Sequence, residues 1–136
     1  MHQDTLTIHT SGRGLTNITP RIAGVVEESG VHSGLAHLFI QHTSASLIIQ
    51  ENADPDVQID LESFFQRLVP DDDPIYRHTD EGPDDMSAHV RSVLTATTLS
   101  VPIQEHRLGL GTWQSIYLWE HRSAPHQRRI TITIHG

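Results

Sequence analysis

The sequence predicts an α+β domain built on mainly antiparallel β-sheet with two or three helices. Three observations carry that expectation. The C-terminal segment alternates cleanly, with Ile130, Ile132 and Ile134 set against Thr131, Thr133 and His135, the pattern of a strand with one buried face. Two segments open on Thr19-Pro20 and Asp54-Pro55, a capping residue followed by the proline that suits a first helical turn. The stretch after residue 98 holds three further strand-like runs and no long helix. A sheet of some seven or eight strands with few helices is the antiparallel, α+β solution.

Taken in order, Thr5-Leu6-Thr7-Ile8 alternates as a strand, and Gly12-Arg13-Gly14 reads as a turn. Ile22, Val25 and Val26 recur at helical spacing after Thr19-Pro20, with Gly30 placed to close the helix. Ala36–Ile40 and Ser46–Ile49 read as two strands of a hairpin, joined by polar Gln41-His42-Thr43-Ser44. Val57, Leu61, Phe64, Phe65 and Leu68 form the apolar stripe of a second helix that ends at Pro70. Residues 70–83 are acidic and contain three prolines, a loop long enough to suggest a role. A third helix starts at Asp84 or Asp85, and Val90, Val93 and Leu94 are expected to face the core. Strands then follow at 99–103, 107–110, 114–120 and 128–135.

At 136 residues the chain is expected to be a single domain, 1–136, and its 36% hydrophobic and 19% charged content is that of a globular protein. Cysteine is absent and all nine basic residues are arginine. That composition removes disulfides, thiolate nucleophiles, cysteine metal sites, Schiff bases and the P-loop lysine. A net charge of −8 argues against a nucleic-acid partner, which calls for a dense basic face. No run nears the ~20 apolar residues of a membrane span, and the N-terminus lacks a signal-peptide pattern. The expectation is a soluble, cytoplasmic protein with no membrane partner.

Four clusters could carry chemistry. Asp85 and His89 are four apart and share one helix face, and His78, in the loop leading in, can fold back over them. The spacing suits a divalent cation or a simple Asp–His pair. His42-Thr43-Ser44 and Glu51-Asn52-Ala53-Asp54 sit at strand ends, where polar groups line sites or make caps. Gly109-Leu110-Gly111-Thr112-Trp113-Gln114 offers close backbone approach, a stacking face and an amide, for a planar heterocycle or for a bulge with a core tryptophan. Glu120-His121-Arg122 with Arg128-Arg129 could grip a phosphate or carboxylate, or pair with the acidic loop.

Across nearly the whole chain these elements occur in one order: His42-Thr43-Ser44-Ala45-Ser46, Glu51 through Val57, His78, Glu81-Gly82-Pro83-Asp84-Asp85-Met86, His89, Leu108 through Gln114, and Glu120-His121-Arg122. In them the chain resembles the YjbQ family, small proteins often labelled secondary thiamine-phosphate synthase enzymes. It departs at His106 and Ser115, where the family usually has glycine. The resemblance implies an α+β fold, a homotrimer and a histidine-rich pocket that takes a divalent metal such as zinc, manganese or magnesium. It also implies a transferase reaction joining a pyrimidine pyrophosphate to a thiazole phosphate. On that reading His42, His78 and His89 hold the metal. Arg122 or Arg129 helps neutralise the leaving pyrophosphate, Trp113 and Gln114 receive the pyrimidine, and Glu51 or Asp85 binds metal or orients a histidine. The alternatives are a metal-dependent hydrolase of a small phosphorylated molecule and a non-catalytic trimeric metal- or ligand-binding protein.

Overall fold

Alternation along the last strand sets the architecture. The computed structural model describes residues 1–136 and contains eight strands and three helices. Strand β8 (Gln127–His135) buries Ile130, Ile132 and Ile134 completely and is paired on both sides, by β1 (His2–His9) and β3 (Gly34–Ile40). Beyond β3 lie β5 (Thr98–Gln104) and the short β6 (Arg107–Leu108), giving a five-stranded sheet in the order β1-β8-β3-β5-β6. A second sheet has the order β2-β7-β4, formed by β2 (Gly14–Asn17), β7 (Gln114–Glu120) and β4 (Ala45–Glu51). Every strand pairing is antiparallel.

One core of 18 buried residues joins the two sheets, with Leu38, Ile40, Ile130 and Ile132 from the first and Leu47, Ile116 and Leu118 from the second. Helix α1 (Thr19–Ser29) adds Ile22, Val25 and Val26 to it. Gly30 ends α1 at φ 69°, the left-handed position that glycine occupies without a Cβ clash. No helix is long and apolar enough to cross a membrane.

The expected hairpin between the strands at 36–40 and 46–49 does not form. β3 pairs with β5 and β8 in one sheet, and β4 pairs with β7 in the other. Residues 41–44 therefore turn a corner between sheets. Both strands bury apolar side chains in the shared core, so pairing them side by side would leave one sheet face without its cover. The turn expected at Gly12-Arg13-Gly14 gives way at once to β2, whose four residues are too short to show alternation.

Helix α2 (Pro55–Leu68) begins as expected, with the Asp54 carboxylate accepting from the Asp56 amide, yet none of its residues is buried. Helix α3 (Asp85–Leu94) turns the opposite way from the expectation. Val93 is 83% exposed and Leu94 is also exposed, whereas Asp85, Ser87, Arg91 and Ser92 are buried. The polar face goes inward because partners wait for it there: Arg122, the 70–83 loop and Glu62.

The departure at His106 has a local conformational consequence. Gln104 pairs with Arg107, so Glu105 and His106 form a two-residue hairpin loop, at φ 52° and 66°. Such loops require positive φ, which explains why glycine suits this position and why histidine is strained there. The other departure, Ser115, is buried and accepts a hydrogen bond from Asn52 Nδ2 at 3.1 Å.

Candidate metal centre

The site is built where the acidic loop runs into α3. Three contacts fasten the loop: Arg13 grips Asp71 bidentately at 2.9 and 3.0 Å, Ser87 donates to Asp71, and the Asp72 amide donates to the Pro83 carbonyl. The chain so held returns His78 over the first turn of α3. His78 Nε2 lies 2.6 Å from Asp85 Oδ2, and His89 Nε2, one helical turn on, lies 3.0 Å from the same oxygen. The three ligand-type atoms all lie within 4.8 Å of one another.

Each member is positioned by a second contact. Arg122 Nη1 lies 2.8 Å from Asp85 Oδ1, which leaves Oδ2 directed at the two imidazoles. Arg122 Nε and the Ser123 amide and hydroxyl all engage Asp84 Oδ2, so the guanidinium is itself fixed. Burial alone would raise the Asp85 carboxyl. The hydrogen bond with His78 and the influence of His89 and Arg122 overcome it and hold Asp85 below the usual carboxylate range. Asp84 is lowered likewise: burial is outweighed by the bonds from Arg122 and Ser123.

His89 carries the informative detail. Its Nδ1 lies 2.8 Å from the Thr43 carbonyl oxygen, which can only accept. A neutral imidazole has one N–H. In the neutral ring, spending it on Thr43 leaves the Nε2 lone pair facing a carboxylate oxygen, an arrangement that either a proton or a metal cation between them would satisfy. Two imidazoles and one carboxylate are also a donor set suited to zinc, iron or manganese. The residues therefore fit a divalent metal.

The other expected site residues are placed elsewhere. His42 stands apart from this group: its Nε2 accepts from the Arg129 amide at 2.8 Å, and its Nδ1 lies 3.3 Å from Arg128 Nη1. The Arg129 side chain is exposed. Glu51 is spent on the chain before α2, accepting from the Ala53 and Asp54 amides at 2.9 and 2.7 Å. Gln114 Oε1 accepts from the Gly111 amide. Trp113 is 62% exposed, which overturns the alternative of a core tryptophan. Gly109 in this loop approaches closely, since a Cβ there would lie 2.9 Å from Gln104 Oε1. Pairing of Ala45 with Glu120 and of Glu51 with Gln114 puts the two groups at opposite ends of β4–β7. Six residues of strand separate them by about 20 Å.

Sequence reasoning grouped Glu120, His121 and Arg128 but missed that they form a buried polar layer beneath the site, with Glu120 and Arg128 paired. Arg128 binds both oxygens of Glu120, Thr10 donates to Glu120 at 2.7 Å, and His121 Nε2 lies 2.8 Å from Ser46 Oγ. Burial, with Arg91 nearby, pulls His121 down to about 3. The alternation of β8 and the unbroken apolar run of β7 give the available signal: Arg128 is in phase with Ile130, Ile132 and Ile134, and Glu120 continues the buried run Ile116–Trp119.

Comparison with known proteins follows the whole fold. The profile of the family described as UPF0047 protein YjbQ-like matches residues 4–136. A UPF0047 protein of Synechocystis sp. is 56% identical over 99% of this chain and 92% of its own. YjbQ of Escherichia coli O157:H7 is 44% identical over 99% and 98%. Among solved structures, a YjbQ/UPF0047 protein of Clostridium acetobutylicum superposes with a TM-score of 0.89 at 32% identity, covering 97% of this chain and 99% of that one. A conserved hypothetical protein of Thermus thermophilus gives 0.87 at 34% identity, with the same coverage.

Proposed function

The chain belongs to the UPF0047 YjbQ-like family, and from there we propose that it is a divalent-metal-dependent enzyme acting on a small phosphorylated molecule. His78, Asp85 and His89 would be the protein's ligands. The observation that carries this reading is the doubly engaged His89 ring, anchored by Thr43 on one nitrogen and facing Asp85 with the other. A divalent cation held there supplies Lewis acidity toward a phosphoryl oxygen and acidifies water. The chain's own residues supply orientation. Thr43 fixes the His89 ring, and Arg122 fixes the Asp85 carboxylate and adds a positive charge beside it.

Hydrolysis of a phosphate ester is the reaction this geometry favours, because everything it needs lies at one end of β4–β7. The thiamine-phosphate synthase reading has support in Arg122, a guanidinium next to the ligand group and suited to a departing pyrophosphate. It needs Trp113 as the pyrimidine platform, however, and Trp113 stands at the other end. A homotrimer would resolve that distance by lending Trp113 from a second subunit. The uncovered apolar side of α2 and the groove of about 390 Å³ beside it, lined by Leu61, Phe65, Leu94 and Trp119, give a surface for such contacts.

Elemental analysis of tag-free wild type and His89→Ala, run in parallel, tests the reading. About one equivalent of metal is expected in wild type and none in the variant. Metal-loaded wild type should then turn over a phosphate ester alone, without a second substrate. An absence of metal after incubation with zinc and manganese would leave the non-catalytic binding protein as the better description.

A further inference from the structure

The corner between β3 and β4 holds an imidazole in the reverse situation to His89. His42 Nε2 lies 2.8 Å from the Arg129 amide, which can only donate, so this nitrogen carries the lone pair. The proton of the neutral ring then sits on Nδ1. Burial, then the charges of Arg128 and Arg129, hold His42 below the usual imidazole range, in keeping with that neutral form. Nδ1–H faces Arg128 Nη1 at 3.3 Å, a donor against a donor. The other guanidinium nitrogens are taken, Nε by Glu120 and Nη2 by Glu120 and Ser44. The Arg128 side chain is only 5% exposed. Two donors therefore converge without an acceptor between them.

They converge on a cleft. An open cavity of about 490 Å³ is lined by Gln41, His42, Thr43, Ser44, Thr97 and Arg128, together with apolar Phe39 and Ile40. His42, Thr43 and Thr97 also line a smaller cavity that reaches His89. Two guanidiniums, Arg128 and Arg129, stand here against one carboxylate, Glu120, in a chain of net charge −8. A single peptide links the two sites: the side chain of His42 faces the cleft, and the carbonyl of Thr43 anchors His89.

We infer that this cleft is an anion subsite in which His42 Nδ1–H and Arg128 Nη1 hold the phosphoryl group of the small molecule whose adjoining atoms reach His78, Asp85 and His89. The assignment rests on the reading of that group as a small-molecule site, and it gives His42 a task distinct from metal ligation. A tetrahedral oxyanion supplies the acceptors that the two facing donors lack, and the Thr43, Ser44 and Thr97 hydroxyls can serve its remaining oxygens.

Calorimetric titration with inorganic phosphate tests it, using the full chain both as purified and after chelator treatment. Wild type is expected to bind phosphate saturably in both forms. His42→Leu, with its fold checked by circular dichroism, should bind at least tenfold more weakly. Arg128→Lys, which keeps a charge for buried Glu120, should bind at least fivefold more weakly. The subsite is overturned if chelated wild type does not bind, if folded His42→Leu binds as tightly as wild type, or if acetate binds as well as phosphate. Phosphate that binds only after a divalent ion is added would sit on the ion, and would also overturn it. Metal-free binding that is lost in His42→Leu, in a protein that takes up no metal, would keep the subsite and remove the metal-dependent reading instead.

Discussion

Helices α2 and α3 are amphipathic to similar degrees in sequence, and the fold treats them oppositely. α2 exposes an apolar stripe, with Phe64 and Leu68 about half exposed, and buries nothing. α3 leaves Val93 and Leu94 outside and buries a carboxylate, two hydroxyls and a guanidinium. The difference teaches that burial here follows the supply of partners. Each buried polar side chain of α3 meets a complementary group, Asp85 with Arg122, Ser87 with Asp71, Arg91 with Glu62 and Ser92 with the Ala45 carbonyl, and only Arg91 Nε is left without a partner. Desolvating them is tolerable on those terms and very costly otherwise. The apolar side of α2 finds no equivalent cover within one chain.

The contrast can be broken from the polar side first. His121 lies in the buried ground beneath α3, fully buried and pulled down to about 3 by burial and then by Arg91, with Glu120 opposing. Its folded value is lowered, so the unfolded chain takes up a proton first as pH falls from the ordinary 6.5. The stability that His121 contributes is thus complete above 6.5 and is lost progressively down to about 3, by up to about 4 kcal/mol. Urea unfolding between pH 7 and 4 should show this slope, and His121→Gln should flatten it. A slope unchanged in His121→Gln would place the acid sensitivity elsewhere.

Glu62 ties the two helices together. It accepts from Arg91 at 2.7 Å and from the Trp119 indole at 2.9 Å. Glu62→Ala leaves a buried guanidinium and a buried indole N–H without partners, and should cost about 3 kcal/mol. Glu62→Gln should recover part of that. Equal melting temperatures for wild type and Glu62→Ala would show that α3 does not depend on its partner from α2.

The smallest effect on the folding of one subunit is expected on the apolar side. The pair Phe64→Ser and Leu68→Ser removes side chains that are about half exposed and should change single-subunit stability by no more than about 1 kcal/mol. Light scattering should nonetheless register it as a fall from a trimer mass to a single-chain mass. A wild type already at single-chain mass would refute the homotrimer and leave the α2 stripe as plain exposed surface.

Much of the scaffold was legible in the sequence. Alternation placed β8, the proline-led starts placed α1 and α2, and i,i+4 spacing placed Asp85 and His89 on one face with His78 within reach. These signals are local, since each depends on residues a turn or a strand apart. The sheet assignment of β3 and β4, the inward side of α3 and the Glu120–Arg128 layer were not legible in that way. Each depends on what arrives from far along the chain, as when Arg122 reaches Asp85 and Arg128 reaches Ser44.

The sequence by itself determined most of the elements, the family and the residue types of the candidate site, because periodicity, capping and motif order are written in neighbouring residues. The tertiary structure alone decided which of those residues share a site. It set His78, Asp85 and His89 together, gave His42 to Arg128 and Arg129, and sent Glu51, Trp113 and Gln114 to the far end of β4–β7. The physical reason is register: antiparallel pairing converts distance along a strand into distance in space, and only the paired partner fixes which end a side chain occupies.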